Sequence, residues 1–117
     1  MKSLLVISRH PPARLAAREA LDMVLAAAAF GVPTALLFME DGVLQLLEGQ
    51  DASAVGQKSL AANLQALDLY GVEEVLVCQH SLTERGIQSR QCALDCRAVD
   101  SVQIAHLLAH YDQVVSL

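Results

Sequence analysis

SLLVISRHPPARLAAREALDMVLAAAAFGVPTALLFM, residues 3–39, contains the outline of the fold. Leu4–Ile7 is a short, unbroken apolar run, the pattern of a strand covered on both faces. Pro11-Pro12 breaks it and can open a helix, because proline tolerates the first helical turn. From Ala13 to Phe30, Leu21, Val24, Leu25 and Ala28 recur at helical spacing, with Arg14, Arg18, Glu19 and Asp22 on the wetter side. Arg18 and Asp22, four apart, can pair for a few tenths of a kcal/mol. Gly31 stops the helix where a left-handed residue is wanted, and Thr34–Met39 is a second buried strand. Strand, helix and strand of these lengths make a crossover unit, which parallel strands require.

The alternation continues to the end of the chain. Asp41-Gly42 turns the chain, and Val43, Leu46 and Leu47 fit one or two short helical turns. Glu48-Gly49-Gln50-Asp51 is a polar loop. Ser53 can cap a helix running to about Asp68, with Leu60, Leu64 and Leu67 as its buried stripe and Gly71 as its end. Val75–Cys78 is a third strand. Ser81-Leu82-Thr83-Glu84 matches the S/T-x-x-E capping box and predicts a short helix that Gly86 ends. Cys92–Cys96 reads as a fourth strand, Asp100 as the cap of a helix over Ser101–His110, and Gln113–Leu117 as a final strand. The expected fold is therefore α/β: one domain over residues 1–117, a mostly parallel sheet of about five strands, and helices on both faces. The order fits flavodoxin-like layering, and topology alone does not choose a function.

At 117 residues, 54% hydrophobic but only 3% aromatic, the chain is more apolar than the 45–50% or so of an average domain. The surplus predicts apolar surface covered by other subunits. A net charge of −5, from eight basic and thirteen acidic residues, argues against a direct grip on nucleic acid, which needs clustered Lys and Arg. The most apolar region, Met23–Met39, is broken by Gly31-Val32-Pro33-Thr34 and falls short of the ~20 residues that span a bilayer. Met1 leads directly into a strand, without the apolar stretch and cleavage site of a secretory signal. Three cysteines, an odd number, do not form a disulfide framework. A reducing, cytoplasmic setting is expected, with no membrane contact.

Cys78 is the first candidate for chemistry. It ends a central strand just before a helix, and ligand sites of open α/β sheets gather beyond such strand ends. A helix N-terminus favours the thiolate that a persulfide carrier needs. Equally, an unbridged cysteine is among the most frequently buried residues and commonly only packs. His80, two residues on, could polarise the thiol. Cys92 and Cys96 would lie about 13 Å apart on a strand, too far to bridge, or on adjacent turns of a helix; without a second Cys/His pair they read as structural. His106 and His110 have the i, i+4 spacing of a metal pair but lack the adjoining Glu of a zincin. Nucleotide-loop, dinucleotide and serine-hydrolase signatures are missing. Asp41 as a phosphoacceptor lacks the acidic partners expected after the first strand, where Ser8-Arg9-His10-Pro11 stands. No metal or cofactor is expected.

Ala17–Asp22, the stretch Asp41-Gly42-Val43-Leu44-Gln45-Leu46-Leu47 with Gly49-Gln50, Ser81–Gly86 and Leu108–Asp112 together resemble the TusC/DsrF family along essentially the whole chain. The Asp-Gly-Val-x-Gln-Leu-Leu stretch is the most specific part. The resemblance implies a DsrE-like fold and membership of a heterohexamer, a dimer of heterotrimers, with TusB-like and TusD-like subunits. Such a complex relays persulfide sulfur from TusA to TusE for 2-thiolation of the tRNA wobble uridine, while related Dsr proteins serve sulfur oxidation. In the family the sulfur carrier is a cysteine of the TusD subunit. Cys78, eight residues before Gly86, holds what looks like the matching position, and TusC subunits are regarded as non-catalytic. Where the family often has a Gly after the first strand, this chain has Pro11-Pro12-Ala13-Arg14. A structural subunit is thus the leading expectation; a persulfide carrier through Cys78 and a small-ligand or phosphate-binding regulatory module at the strand ends are the competing ones.

Overall fold

The two central strands show how the sheet is built. β1 (Leu4–Ser8) and β2 (Thr34–Phe38) are buried at every position, so both faces of the sheet are covered there. Alternate side chains serve opposite layers, as the period of a strand requires. Leu4, Val6, Leu36 and Phe38 pack with Ala17, Ala20, Leu21 and Val24 of helix α1 (Leu15–Ala29). Leu5, Ile7, Ala35 and Leu37 pack on the other face with Ile104 of helix α3 (Ser101–His110). Leu5, Leu21, Leu36, Leu37 and Phe38 are fully buried, each worth about 1.5–3 kcal/mol relative to exposure.

The structure, a computed structural model, describes residues 2–47, 64, 66–88, 91–92 and 96–117. Five parallel strands form the sheet in the order β4-β3-β2-β1-β5, where β3 is Glu74–Cys78, β4 Arg97–Val99 and β5 Gln113–Ser116. The α/β layering and parallel sheet read from the sequence are therefore present. A 3-10 helix, Glu40–Leu46, follows β2, and a short helix α2, Gln79–Glu84, follows β3. Among the described residues no helix is long and apolar enough to cross a membrane.

The start of α1 differs from expectation. Pro11-Pro12 does not open it; the helix begins at Leu15 with Arg14 as its N-cap, after a turn closed by the bond from the Arg14 N–H to the Pro11 carbonyl at 3.0 Å. Arg18 and Asp22 do pair, at 3.9 Å. At the other end, Phe30-Gly31-Val32 and Tyr70-Gly71-Val72 repeat one stop signal. The Val32 N–H reaches back to the Ala27 carbonyl and the Gly31 N–H to that of Ala28; Val72 and Gly71 do the same to Leu67 and Asp68. This pairing needs a left-handed residue, which Gly31 (φ 81°) and Gly71 (φ 76°) provide. Leu64 and Leu67 are buried as expected, while Ser53, Leu60 and the Glu48–Asp51 loop lie outside the described residues.

The fourth strand of the sheet is Arg97–Val99, beginning just after Cys96. Cys92 makes an isolated antiparallel bridge to Leu47, and residues 93–95 of the expected Cys92–Cys96 strand lie outside the described residues. A three-residue edge strand carries too little alternation to register in sequence, and the apolar side chains of Cys92 and Cys96 instead pack against the α1-side core. The cap of α3 is as read: the Asp100 carboxylate accepts from the Gln103 N–H at 2.8 Å, and the Gln103 side chain accepts from the Asp100 N–H at 2.9 Å. Ser3 and Asp112 then tie the entry of β5 to that of β1. The Ser3 N–H and hydroxyl donate to Asp112 Oδ2 at 2.8 and 3.0 Å, and these bonds hold the carboxyl below the usual carboxylate range.

Tyr111, buried at the end of α3, is a strongly perturbed acid. Burial, then the nearby Glu73 and Glu74 carboxylates and a hydrogen bond to Glu74, push its phenol from 10.0 up to about 12. Folding thus favours the neutral phenol, so this contribution is complete below pH 10 and is lost as pH rises towards 12. Urea midpoints measured below pH 10 and near pH 12 should fall for the unsubstituted protein and fall less for Tyr111→Phe. Equal losses in the two proteins would refute that assignment.

Candidate functional site

Cys78 ends β3, its Cα in register with that of Val99 in β4. From these neighbouring strands the chain leaves to opposite faces. After β3 it enters α2, whose Leu82 packs on the α1 side; after β4 it enters α3, whose Ile104 packs on the other. That divergence is the topological switch point of the sheet, where open α/β folds leave a crevice beyond the strand ends. Cys78 is also the N-cap residue of α2, although its side chain makes no capping bond. The thiol is not open to solvent there. It is 5% exposed and belongs to the apolar cluster of Leu76, Val99 and Ile104 beneath α3.

The neighbours expected to activate it are otherwise engaged. The His80 Nε2 lies 2.9 Å from Glu84, an exposed i, i+4 pair within α2. The capping box read at Ser81–Glu84 is not formed, because α2 begins two residues earlier, at Gln79. Ser81 is inside the helix and its hydroxyl accepts the Glu40 N–H at 2.8 Å. A four-residue motif does not reveal whether its first residue stands outside a helix or within one, and here a tertiary bond claims the hydroxyl.

Beside α2 the most specific stretch of sequence forms a structural knot. The Arg85 guanidinium donates twice to Asp41 Oδ1, at 3.1 and 3.0 Å, and once to the Ser81 carbonyl at 3.2 Å. Gln45, almost fully buried, donates to the buried Ser8 hydroxyl at 2.8 Å and to the His10 carbonyl at 2.9 Å. Buried polar groups must be paired in this way to avoid a desolvation cost. Arg9 grips Glu40 with two bonds, at 3.1 and 3.0 Å, and reaches the Ser116 hydroxyl at 3.3 Å. The ends of β1, β2 and β5 and the start of α2 are thereby tied together. Gly42 is pressed against β1 so closely that a Cβ would stand 2.0 Å from the Ser8 carbonyl oxygen. Asp41 is therefore an ion-pair partner of Arg85. The Ser8–Gln45–His10 contacts could not be read from spacing; their only trace in the sequence was a Gln set among leucines.

The other sequence candidates do not converge on Cys78. Cys92 and Cys96 are half-buried against the α1-side core. His106 and His110 are exposed on α3, and His110 meets Tyr111 edge-on at 5.2 Å. Among the described residues no group of three or more His, Cys, Asp or Glu side chains could hold a metal ion.

The model of the DsrE/DsrF-like family matches residues 1–117, the whole chain. The chain belongs to that family. It is 45% identical over 117 residues to a protein TusC homolog of Pseudomonas aeruginosa, covering 99% of this chain and 98% of that one. A protein TusC homolog of Vibrio vulnificus is 37% identical over 106 residues, 91% of this chain and 90% of its own. Two solved structures of low identity share the DsrE-like fold. The crystal structure of the ychN protein from E. coli superposes with a TM-score of 0.86 at 19% identity over the full length of both chains. The MTH1491 protein of Methanobacterium thermoautotrophicum gives 0.73 at 13% identity, covering 98% of this chain and 99% of its own. Against that family background, the knot around Gly42 and Gln45 accounts physically for the Asp-Gly-Val-x-Gln-Leu-Leu stretch as scaffold rather than as chemistry.

Proposed function

We propose that this chain is a structural subunit of a TusBCD-type sulfur-relay complex. It assembles with TusB-like and TusD-like subunits into a dimer of heterotrimers, passing persulfide sulfur from TusA to TusE for 2-thiolation of the tRNA wobble uridine in the cytoplasm. Its own part is to build and hold the complex. The observation that carries this reading is the burial of Cys78, 5% exposed within an apolar cluster, in a chain whose relatives are TusC homologs. A sulfur carrier must present its thiolate to donor and acceptor thiols in turn, and such cysteines sit in accessible, electropositive places. The acidic charge of the chain fits a component that meets proteins and leaves the RNA to a later enzyme.

The test is a Cys78→Ser replacement in a strain with the rest of the relay intact. Wobble 2-thiouridine, measured by mass spectrometry of digested tRNA, should stay near the unsubstituted level. A severe loss with the complex still assembled would overturn the reading. One observation favours a second reading, Cys78 as the persulfide carrier: it stands at the switch point of the sheet, at the start of α2. That alternative requires Cys78 to gain the mass of one sulfur atom after incubation with a charged donor. A DsrF-type role in sulfur oxidation would use the same scaffold with other partners.

A further inference from the structure

Beside β4 and α3 lies an open cavity of about 330 Å³ lined by Arg97, Gln103, His106, Leu107 and His110. Its composition is unlike that of the chain as a whole. In a protein of net charge −5, none of these lining residues is acidic, and four of the five carry N–H groups. We propose that this cavity binds a small organic anion, a phosphate or carboxylate head held by Arg97, Gln103, His106 and His110 with its apolar body against Leu107.

Two of the donors are held in place by bonds that leave their remaining N–H groups available. The Gln103 Oε1 accepts the Asp100 N–H at 2.9 Å in the capping box, which leaves the side-chain amide nitrogen to donate elsewhere. The Arg97 Nη2 donates to Glu74 Oε1 at 3.0 Å, and Glu74 lines the neighbouring cavity with Arg97 rather than this one. The guanidinium is thus anchored by one nitrogen, with Nε and Nη1 unbonded among the described residues. Such fixed donors lose little freedom when they meet an anion. His106 and His110 stand one turn apart on α3, and neither has a hydrogen-bond partner among the described residues. A cation is disfavoured, since the guanidinium of Arg97 shares the cavity with the imidazole pair. The attraction comes from these side chains, because the lining runs along α3 from Gln103 in its first turn to His110 in its last, where the negative pole of the helix works against an anion. A volume near 330 Å³ lies at the lower end of small-molecule sites and exceeds what a bare oxyanion fills.

Titration of the full-length chain with inorganic phosphate and with phenyl phosphate, followed by the imidazole proton resonances of the histidines, tests the site. The His106 and His110 signals should shift saturably with both ligands while those of His10 and His80 stay in place. Phenyl phosphate should bind more tightly through Leu107. His106→Ala, an exposed helical substitution that alanine tolerates well, should weaken binding about tenfold, the loss of one hydrogen bond to an anion. Arg97→Gln should weaken it at least as much. Unshifted His106 and His110 signals, affinity in both variants unchanged from that of the unsubstituted chain, or a zinc ion binding the imidazole pair where the phosphates do not would each overturn the proposal.

Discussion

Gly42→Ala is expected to cost about 3 kcal/mol of stability or more, the upper range for forcing an atom into a filled interior. The added methyl would stand 2.0 Å from the Ser8 carbonyl oxygen, 2.8 Å from its carbon and 3.2 Å from the Arg9 nitrogen. All three are backbone atoms, and none can swing aside as a flexible side chain would. The Ser8 carbonyl is also held by the Met39 N–H at 3.0 Å. Relief therefore requires moving β1 away from the 3-10 helix, which would pull the Gln45 amide from the Ser8 hydroxyl and the His10 carbonyl. Gly31→Ala is the internal comparison. Gly31 has φ 81° but nothing within 4 Å of an added Cβ, so its cost is confined to the left-handed backbone, about 1–2 kcal/mol. Urea unfolding should place the Gly42 variant well below the Gly31 variant, or find it unfolded from the outset. Coincident midpoints would mean that β1 and the 3-10 helix do not approach so closely.

The contrast between those two glycines also marks where sequence reading succeeds. Gly31 is legible because its reason is local: a helix ends there, and the residue after it must turn left-handed. β1, β2, α1 and the Asp100 cap were legible for the same kind of reason, since an unbroken apolar run, a helical stripe or an Asp before a helix carries its meaning in a few residues. Gly42, Gln45 and Ser81 have tertiary reasons. Their partners, Ser8 with His10 and the Glu40 amide, lie 34 to 41 positions away along the chain, and only the folded sheet brings them together. Ser81 then misleads, because the residues at hand satisfy a capping pattern that the fold does not use. Cys78 shows the limit at the candidate site. Its place at a strand end was readable, but the direction of its thiol depends on the alternation of β3 relative to α3, and that direction sets its burial. The cavity beside α3 was invisible for a further reason. Its Arg97 comes from a three-residue edge strand, and the spacing of His106 and His110, without the adjoining Glu of a zincin, pointed to no ligand.

Placing lysines at Phe30 and Leu69 together should prevent the proposed assembly with TusB-like and TusD-like subunits while leaving the chain folded. Phe30 is 84% exposed and Leu69 87%, the two most open large apolar side chains of the described residues. They precede β2 and β3, which are neighbours in the sheet, and the Glu73 N–H bonds to the Thr34 carbonyl at 2.8 Å between those strand entries. Phe30, Leu69 and the half-exposed Tyr70 therefore sit at one end of the sheet, opposite Cys78. Apolar side chains left this open gain nothing for the folded chain, whereas a partner that covers them recovers the burial energy. Central residues of an interface typically cost 2 kcal/mol or more when lost; two of them amount to roughly a thousandfold in affinity. The monomer should be spared, because substitutions at exposed positions stay within about 0.5 kcal/mol, and a lysine after the last turn of a helix complements its dipole. Co-expression with tagged sibling subunits gives the readout: the unsubstituted chain is retained on the affinity matrix, and the double variant passes through, its circular dichroism unchanged. Retention of a folded double variant at full stoichiometry would move the interface elsewhere, to the outer side of α3 and β5, where Val102, Leu108 and Val114 are also exposed. Val102→Lys would then be the decisive substitution on that face.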